Sequence, residues 1–361
     1  MTVALTGARG FLGWHTRASL LETGTTTIPV AVGDRFEVDA ATAAINATDR
    51  FIHIAGVNRG TDEEVADGNL RFADQVATAL RAASTPPPVV VFANSTQSRA
   101  GGVYGDAKKA AAEILEKTAA EVGARFENVV LPNLFGEHGR PFYNAVTATF
   151  CHLLAEGGQP TVETDRELRL LHAQNAADLL TGSSSGGSDV EITVTELLTR
   201  LREIARLYRS GEIPDVSDPF SRDLFNTYRS YTFPAATPIP LVRKADARGS
   251  FFEILRSHGG DGQSSFSTTV PGVRRGDHFH RRKIERFTVL SGQAVIALRR
   301  VFTDEVVEFP VTGDAPGAID MPTLWAHNIT NTGEAELFTS FWTNEIFDPA
   351  NPDTIAEAVK P

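Results

Sequence analysis

Short apolar runs punctuate the first half of the chain: Val3 to Leu5, Ile28 to Val32, Phe51 to Ile54, Val89 to Phe92 and Val129 to Leu131. Longer stretches rich in Ala, Glu, Leu and Arg separate them. Strand-length runs alternating with helix-length segments predict a parallel, doubly wound sheet with helices on its faces. From about Ser264 the texture changes. β-Branched and aromatic runs follow one another closely at Ser264 to Val270, Glu285 to Leu290, Ala294 to Val301, Glu305 to Val311 and Glu336 to Phe341, broken by Gly, Pro and Asn. Strands spaced this closely, without helices between them, predict a sandwich or barrel. Between the halves lie a polar loop, Thr181 to Ser188, a helical pattern from Thr195 to Ser210, and a Pro-rich stretch, Pro234 to Pro240, that reads as the connection into the second domain. The expected organisation is an α/β domain over 1–239 and an all-β domain over 240–361.

The length of 361 residues accommodates two domains. Composition changes the picture mainly by exclusion. A formal charge of −11 disfavours a phosphate-backbone binder, so nucleic acid is not an expected partner. The single cysteine, Cys151, excludes an intrachain disulfide and a cysteine zinc cluster, and fits a reducing compartment. No run of 18 apolar residues exists to span a membrane. Met1 to Leu5 runs directly into a glycine turn and reads as a first strand, not a signal peptide. A cytoplasmic protein is the expectation.

The turn after the first strand reads Gly7-Ala8-Arg9-Gly10-Phe11-Leu12-Gly13. Glycines there let backbone and helix N-terminus approach a pyrophosphate, whose charge the helix dipole favours. The pattern alone is common in plain turns; its place between a first strand and a helix gives it weight. Asp34 and Arg35 end the second strand with opposite signals, since an acid there suits the ribose hydroxyls of NAD and an arginine the extra phosphate of NADP. Two solvated loop charges would look the same. Tyr104 and Lys108, spaced i, i+4, share a helix face. A tyrosine titrating near 10 works as a proton carrier near neutrality when a cation stabilises its phenolate, and Lys108 supplies that cation. Ser95 and Thr96, at the end of the fourth strand, offer hydroxyls to a substrate carbonyl.

With these motifs the first domain resembles the extended short-chain dehydrogenase/reductase family. Ile52-His53-Ile54-Ala55-Gly56 is similar to that family's cofactor wall on its fourth strand, Asn69 to its helix asparagine, and Leu131-Pro132-Asn133-Leu134-Phe135-Gly136 to its substrate-side loop. Around Leu171 to Asn175 the family's Val-Asp-Asp element is replaced. The resemblance implies a Rossmann-type fold, a nicotinamide cofactor held by these segments, and Asn133 as a substrate contact.

In the second half, His278 and His280 would face one side of a strand because side chains alternate with period two, and Glu285 can join them from the next strand. His327 falls at a spacing that brings it to the same spot. Three imidazoles and a carboxylate suit a divalent first-row metal. The block matches the first motif of the cupin (jelly-roll) family in full and the second in part, with Leu324 where a glycine is expected after Pro322. Asp246, Arg248 and Arg275 resemble the substrate-binding entry strands of nucleotide-sugar 3,5-epimerases; a surface salt bridge is the plain alternative for Arg248. His278 reads as base or metal ligand, not both.

End to end, the chain resembles the bifunctional capsular polysaccharide synthesis enzyme F family, on Ala55 to Arg59, Pro132 to Gly136, Asp246 to Phe251 and the tail Trp342 to Pro349 with Asn351 to Thr354. That resemblance implies a homodimer carrying zinc. It acts on a UDP-linked 4-keto-6-deoxy-N-acetylhexosamine, epimerising carbon 3 and then reducing carbon 4 with NADPH. Open beside it stand a metal-dependent dioxygenase, a pure epimerase with a degenerate reductase domain, a simple 4-ketoreductase with a non-catalytic cupin, and a non-catalytic sugar binder.

Overall fold

A computed structural model describes residues 1–183 and 187–360, so part of the polar loop, 184–186, lies outside the described residues. Packing divides them into two units. The first holds Met1–Phe135, Gly139–Val146 and Arg166–Thr193; the second holds Gly136–His138, Thr147–Asp165 and the chain from Val194 onward.

In the first unit strands and helices alternate: β1 (Thr2–Thr6), α1 (Phe11–Glu22), β2 (Thr26–Val30), α2 (Val38–Ile45), β3 (Arg50–His53), α3 (Asp62–Ala82), β4 (Val89–Ser95), α4 (Val103–Glu121) and β5 (Arg125–Leu131). All five strands are parallel, in the order β2-β1-β3-β4-β5. Strands covered on both faces must be apolar throughout, which is why Val3, Ala4, Leu5, Phe51, Ile52, Val90 and Val91 are all fully buried. The alternating side chains feed two separate cores, one around Phe51, Val90 and Leu115, the other around Leu5, Ile52 and Val91. Helix starts are chemically marked: Thr61 and Glu64 form a reciprocal capping box at α3. Beyond β5 come β6 (Asn133–Phe135), then α5 (Val146–Ala155), which packs with the second unit, and then β7 (Glu167–His172), α6 (Ala173–Thr181) and β8 (Val190–Thr193). β6 lies parallel to β7, and β7 antiparallel to β8.

From Val194 onward the second unit holds two amphipathic helices, α7 (Val194–Arg209) and α8 (Pro219–Thr232), the latter capped by Asp218 with Pro219 in its first turn. The strands follow: β9 (Ile239–Pro240), β10 (Lys244–Asp246), β11 (Gly249–Phe251), β12 (Gln263–Thr269), β13 (Arg274–Phe279), β14 (Glu285–Ser291), β15 (Gln293–Arg300), β16 (Val306–Thr312), β17 (Gly317–Met321), β18 (Trp325–Asn331), β19 (Leu337–Thr343) and β20 (Ile355–Ala356). They form two five-stranded sheets, β12-β19-β14-β17-β9 and β16-β15-β18-β13-β20. Ile296, Leu298 and Ile329 from one sheet meet Val289, Ile319 and Met321 from the other in a single core. The Pro-rich stretch is more than a connection. Phe233 packs on that core and Ile239–Pro240 pairs with β17, so the sandwich begins inside it. No helix among the described residues is long and apolar enough to cross a membrane.

Candidate functional site

Two sites emerge, one per unit. In the first, the glycine turn is shaped by close approach. Gly7 sits at φ +70° against the backbone of Ala55, and a Cβ on Gly13 would lie 2.0 Å from the Gly7 carbonyl oxygen. Gly10 precedes α1 with no side-chain cap and no acidic residue in the first turn, which leaves backbone N–H groups for an anion. Across the turn, Thr6 organises the facing loop: its Oγ1 accepts from the N–H groups of Ile54 and Ala55 at 3.0 and 3.1 Å and lies 2.7 Å from His53 Nδ1. With two acceptances already made, the Thr6 hydroxyl proton goes to Nδ1, so the neutral imidazole carries its own proton on Nε2. Burial, followed by the Lys108 charge, pushes His53 down to about 3. It therefore stays neutral in the working range. In this chain the cofactor-wall segment follows the third strand, β3.

Asn69 is buried; it accepts from Val57 N–H at 3.2 Å and donates to the carbonyls of Val57 and Val65 at 2.7 Å. Its role in the structure is to brace the Ala55–Val57 loop, with its Oδ1 where a Cβ on Gly56 would fall. Gln75, which the sequence did not single out, clamps Gly33 in the same manner with one bond in each direction. Beside Gly33, Asp34 pairs with Arg71 at 2.9 Å, whereas exposed Arg35 makes no ion pair among the described residues. Arg9, at the turn, is exposed; Phe11 and Leu12, which open α1, are half-buried. The cradle, its open helix end and the Gly56 loop fit a dinucleotide.

Lys108 is buried, donates to the Ala93 carbonyl at 2.6 Å and lies over the Phe92 ring at 4.0 Å, the ring on which His53 also stacks. Desolvation pushes it down to about 7. Tyr104, one turn earlier on α4, moves the other way: burial raises its phenol. The lowering expected from Lys108 is not what the protein alone produces, and the phenol is fully protonated at neutral pH, ready to act as an acid. Ser95 and Thr96 sit half-buried where β4 ends and a 3-10 turn, Thr96–Arg99, begins. α4 packs on this turn through Gly105, whose absent side chain allows the approach: a Cβ there would lie 2.2 Å from the Gln97 carbonyl oxygen. Gly105→Ala is therefore expected to push Tyr104 away from Ser95 and Thr96. If Tyr104 and these hydroxyls act together on a substrate carbonyl, steady-state turnover should fall at least tenfold with an intact fold by circular dichroism, because angstrom misplacement is costly; unchanged turnover would contradict that packing role. Asn133 opens β6, exposed.

The second site lies between the two sheets of the sandwich. His278, His280 and His327 belong to one sheet and its β13 end; Glu285 starts β14 in the other. His278 and His327 are directly opposite across β13 and β18, beside a bulge at Gly276 and Asp277. One ligand atom from each of the four residues lies within 4.8 Å of the others. Glu285 Oε2 is 3.0 Å from His280 Nε2 and 3.3 Å from His327 Nε2, yet none of these buried atoms makes a well-formed hydrogen bond. Backbone carbonyls take the other nitrogens: Asp353 accepts from His280 Nδ1 at 2.5 Å and Trp325 from His327 Nδ1 at 3.2 Å. That fixes Nδ1 as the donor on both rings, so each Nε2 points inward, able to carry a proton toward Glu285 or, without it, to offer its lone pair to a metal. Burial would raise the Glu285 carboxyl, but His280 and His327 hold it well below its ordinary range. The donor set fits a divalent cation such as zinc.

Leu324 makes the turn at which the second cupin motif is expected to place a glycine. It adopts φ +66° while fully buried, and its N–H donates to the His280 carbonyl at 2.8 Å. The predicted sugar contacts lie elsewhere. Asp246 and Arg248 pair with each other at 2.6 Å on the β10–β11 ribbon, which is hydrogen-bonded to neither sheet, and neither makes a hydrogen bond or ion pair with the histidine cluster. Exposed Arg275 donates to the Thr268 carbonyl.

Comparison with known proteins covers both units. Residues 3–181 match the NAD dependent epimerase/dehydratase family, and residues 244–355 match the polysaccharide biosynthesis C-terminal domain. UDP-2-acetamido-2,6-beta-L-arabino-hexul-4-ose reductase of Pseudomonas aeruginosa is 31% identical over 99% of both chains. The crystal structure of capsular polysaccharide assembling protein CapF from Staphylococcus aureus superimposes with a TM-score of 0.63, at 31% identity over 99% of this chain and 100% of that one. Spore coat polysaccharide biosynthesis protein SpsL of Bacillus subtilis is 27% identical over 31% of this chain and 81% of its own.

Proposed function

Because the chain belongs to the capsular polysaccharide synthesis enzyme F family of nucleotide-sugar reductases, we propose that it is bifunctional, epimerising carbon 3 and reducing carbon 4 of a UDP-2-acetamido-2,6-dideoxy-hexos-4-ulose. The product is of the UDP-N-acetyl-L-fucosamine type. The observation that carries this reading is the end-to-end likeness to a relative named for reduction of such a keto-sugar. Asp34 is already engaged by Arg71 while Arg35 has no ion pair among the described residues, which supports NADPH over NADH. The four-residue cluster supports zinc. We further propose a cytoplasmic homodimer, and the division into modules over 1–239 and 240–361.

The chemistry starts at the ketone, which acidifies the carbon-3 proton for removal by a base in the second domain and return from the other face. His280 and His327 are not that base, since carbonyls take their Nδ1 protons and their Nε2 atoms face Glu285. Those two residues, with His278 and Glu285, would hold the metal in an orienting role. In the first domain, Gly7, Gly10, Gly13, Ala55 and Gly56 would cradle the dinucleotide, with Lys108 on the nicotinamide ribose. The bound nicotinamide supplies hydride to carbon 4. Tyr104 then gives the oxygen its proton, and Ser95 or Thr96 orients the carbonyl. Arg248, Arg275 and Asp246 remain the proposed contacts for the nucleotide-linked sugar.

Incubation with the keto-sugar in heavy water tests both steps by NMR. Deuterium entering carbon 3 without NADPH, followed by loss of the ketone once NADPH is added, is the expected result. Clean NADPH oxidation without exchange would reduce the protein to a simple ketoreductase.

A further inference from the structure

The four residues between ligands His280 and Glu285 belong to no strand or helix, so something else must set the spacing of the two ligands. Every backbone N–H in that segment is taken by a side chain from later in the chain. Asp353 accepts from Arg281 at 3.0 Å, Arg282 at 2.8 Å and Lys283 at 2.7 Å, while Asn344 Oδ1 accepts from Ile284 at 2.8 Å. The Asp353 side chain has no exposed surface. A buried carboxylate is tolerated only where donors replace its water, and three successive N–H groups do so here. The same residue reaches the ligand directly, because its own carbonyl accepts from His280 Nδ1 at 2.5 Å. Its backbone is left-handed, φ +42°, a conformation that Asp and Asn tolerate better than other side chains. Two residues later, Ile355 and Ala356 pair with Phe279 and His278.

We propose that Asp353 is a positioning residue of the metal centre: from the C-terminal tail it clamps the loop behind His280 and the imidazole itself, so that Nε2 faces Glu285. The inference rests on the reading of His278, His280, Glu285 and His327 as a metal site. The side chain anchors residues 281–283 and the carbonyl fixes the ring's tautomer and tilt, so both the position and the orientation of one ligand depend on it.

The test is zinc affinity of the metal-stripped full chain, measured by competition with a chromogenic chelator, with the visible spectrum of the cobalt-loaded protein as a geometric readout. Asp353→Ala is expected to weaken zinc 10- to 100-fold and shift the cobalt bands. Asp353→Asn, which keeps one side-chain acceptor oxygen and the tolerance for a left-handed backbone but loses the charge gathering three N–H groups, should fall between wild type and Asp353→Ala. If Asp353→Ala does not fold by circular dichroism, Asp353→Asn decides, and wild-type affinity and spectrum in it overturn the proposal. Wild-type binding, loss of binding in His327→Ala and no change in either Asp353 variant would defeat the positioning role alone. Equal zinc binding by wild type and His327→Ala would instead defeat the metal reading on which it rests.

Discussion

Tyr104→Phe should lower kcat for NADPH oxidation by the keto-sugar by about 10²- to 10⁴-fold, the usual contribution of a positioned general acid, with KM changed little. The ring and its packing survive the substitution, so the loss isolates the proton. Hydride arriving at carbon 4 leaves an alkoxide that must be neutralised. Burial keeps the Tyr104 phenol protonated, which suits donation. Lys108 adds a pH signature. Its ammonium is pushed down to about 7, so kcat/KM for the reduced cofactor, which reports the free enzyme, should decline as pH rises through about 7. The sign follows from which form would work: the proposed contact with the nicotinamide ribose needs the cation, which is present below that pKa. A Tyr104→Phe protein with wild-type turnover would remove the acid from the mechanism, and a flat profile between pH 6 and 9 would remove the cationic role of Lys108.

His280→Ala is expected to empty the cupin of metal, abolish carbon-3 exchange and destabilise the second unit. His280 is 2% exposed and Glu285 is its immediate neighbour. Deleting one partner leaves the other charge buried without compensation, an effect of about 3–5 kcal/mol in buried pairs. Reduction of a substrate already epimerised should survive, because its residues lie on β4 and α4 of the other unit. Metal analysis, deuterium exchange and thermal unfolding read the first three effects, and a coupled NADPH assay reads the last. Reductase turnover falling in step with exchange would sink the idea of separable sites.

Much of the reductase side was legible in the chain because its determinants are local. Gly7 to Gly13 lie in one turn and Tyr104 and Lys108 on one helix face, where periodicity alone sets geometry. His278, His280 and Glu285 were legible for the same reason, being close in sequence at the end of one strand and the start of the next. Local arguments failed where the answer depended on distant backbone. Gly105 looks like an ordinary helix glycine until α4 meets the Gln97 carbonyl. A glycine so near a helix start was the one available signal. Asn69, read from the sequence as a cofactor-side residue, makes two hydrogen bonds to Val57 of the facing loop and one to Val65 of its own helix, a bracing that only the fold reveals. For Gln75 the sequence carried no signal, and for Asp353 it marked only the tail segment Asn351 to Thr354 without its role, since their partners are 42 and about 70 residues away.

The sequence by itself determined the two fold classes, their order along the chain, the glycine turn, the Tyr–Lys face and three of the four residues, His278, His280 and Glu285, that the fold gathers into a group able to hold a metal, because hydrophobic period and short-range spacing dictate these. Tertiary structure decided the rest. Burial set the direction of the Tyr104 and Lys108 ionisations, packing let Leu324 hold a left-handed turn, and the C-terminal tail imposed the geometry of the His280 loop. Desolvation, close approach and hydrogen bonds across scores of residues exist only once the chain has closed on itself.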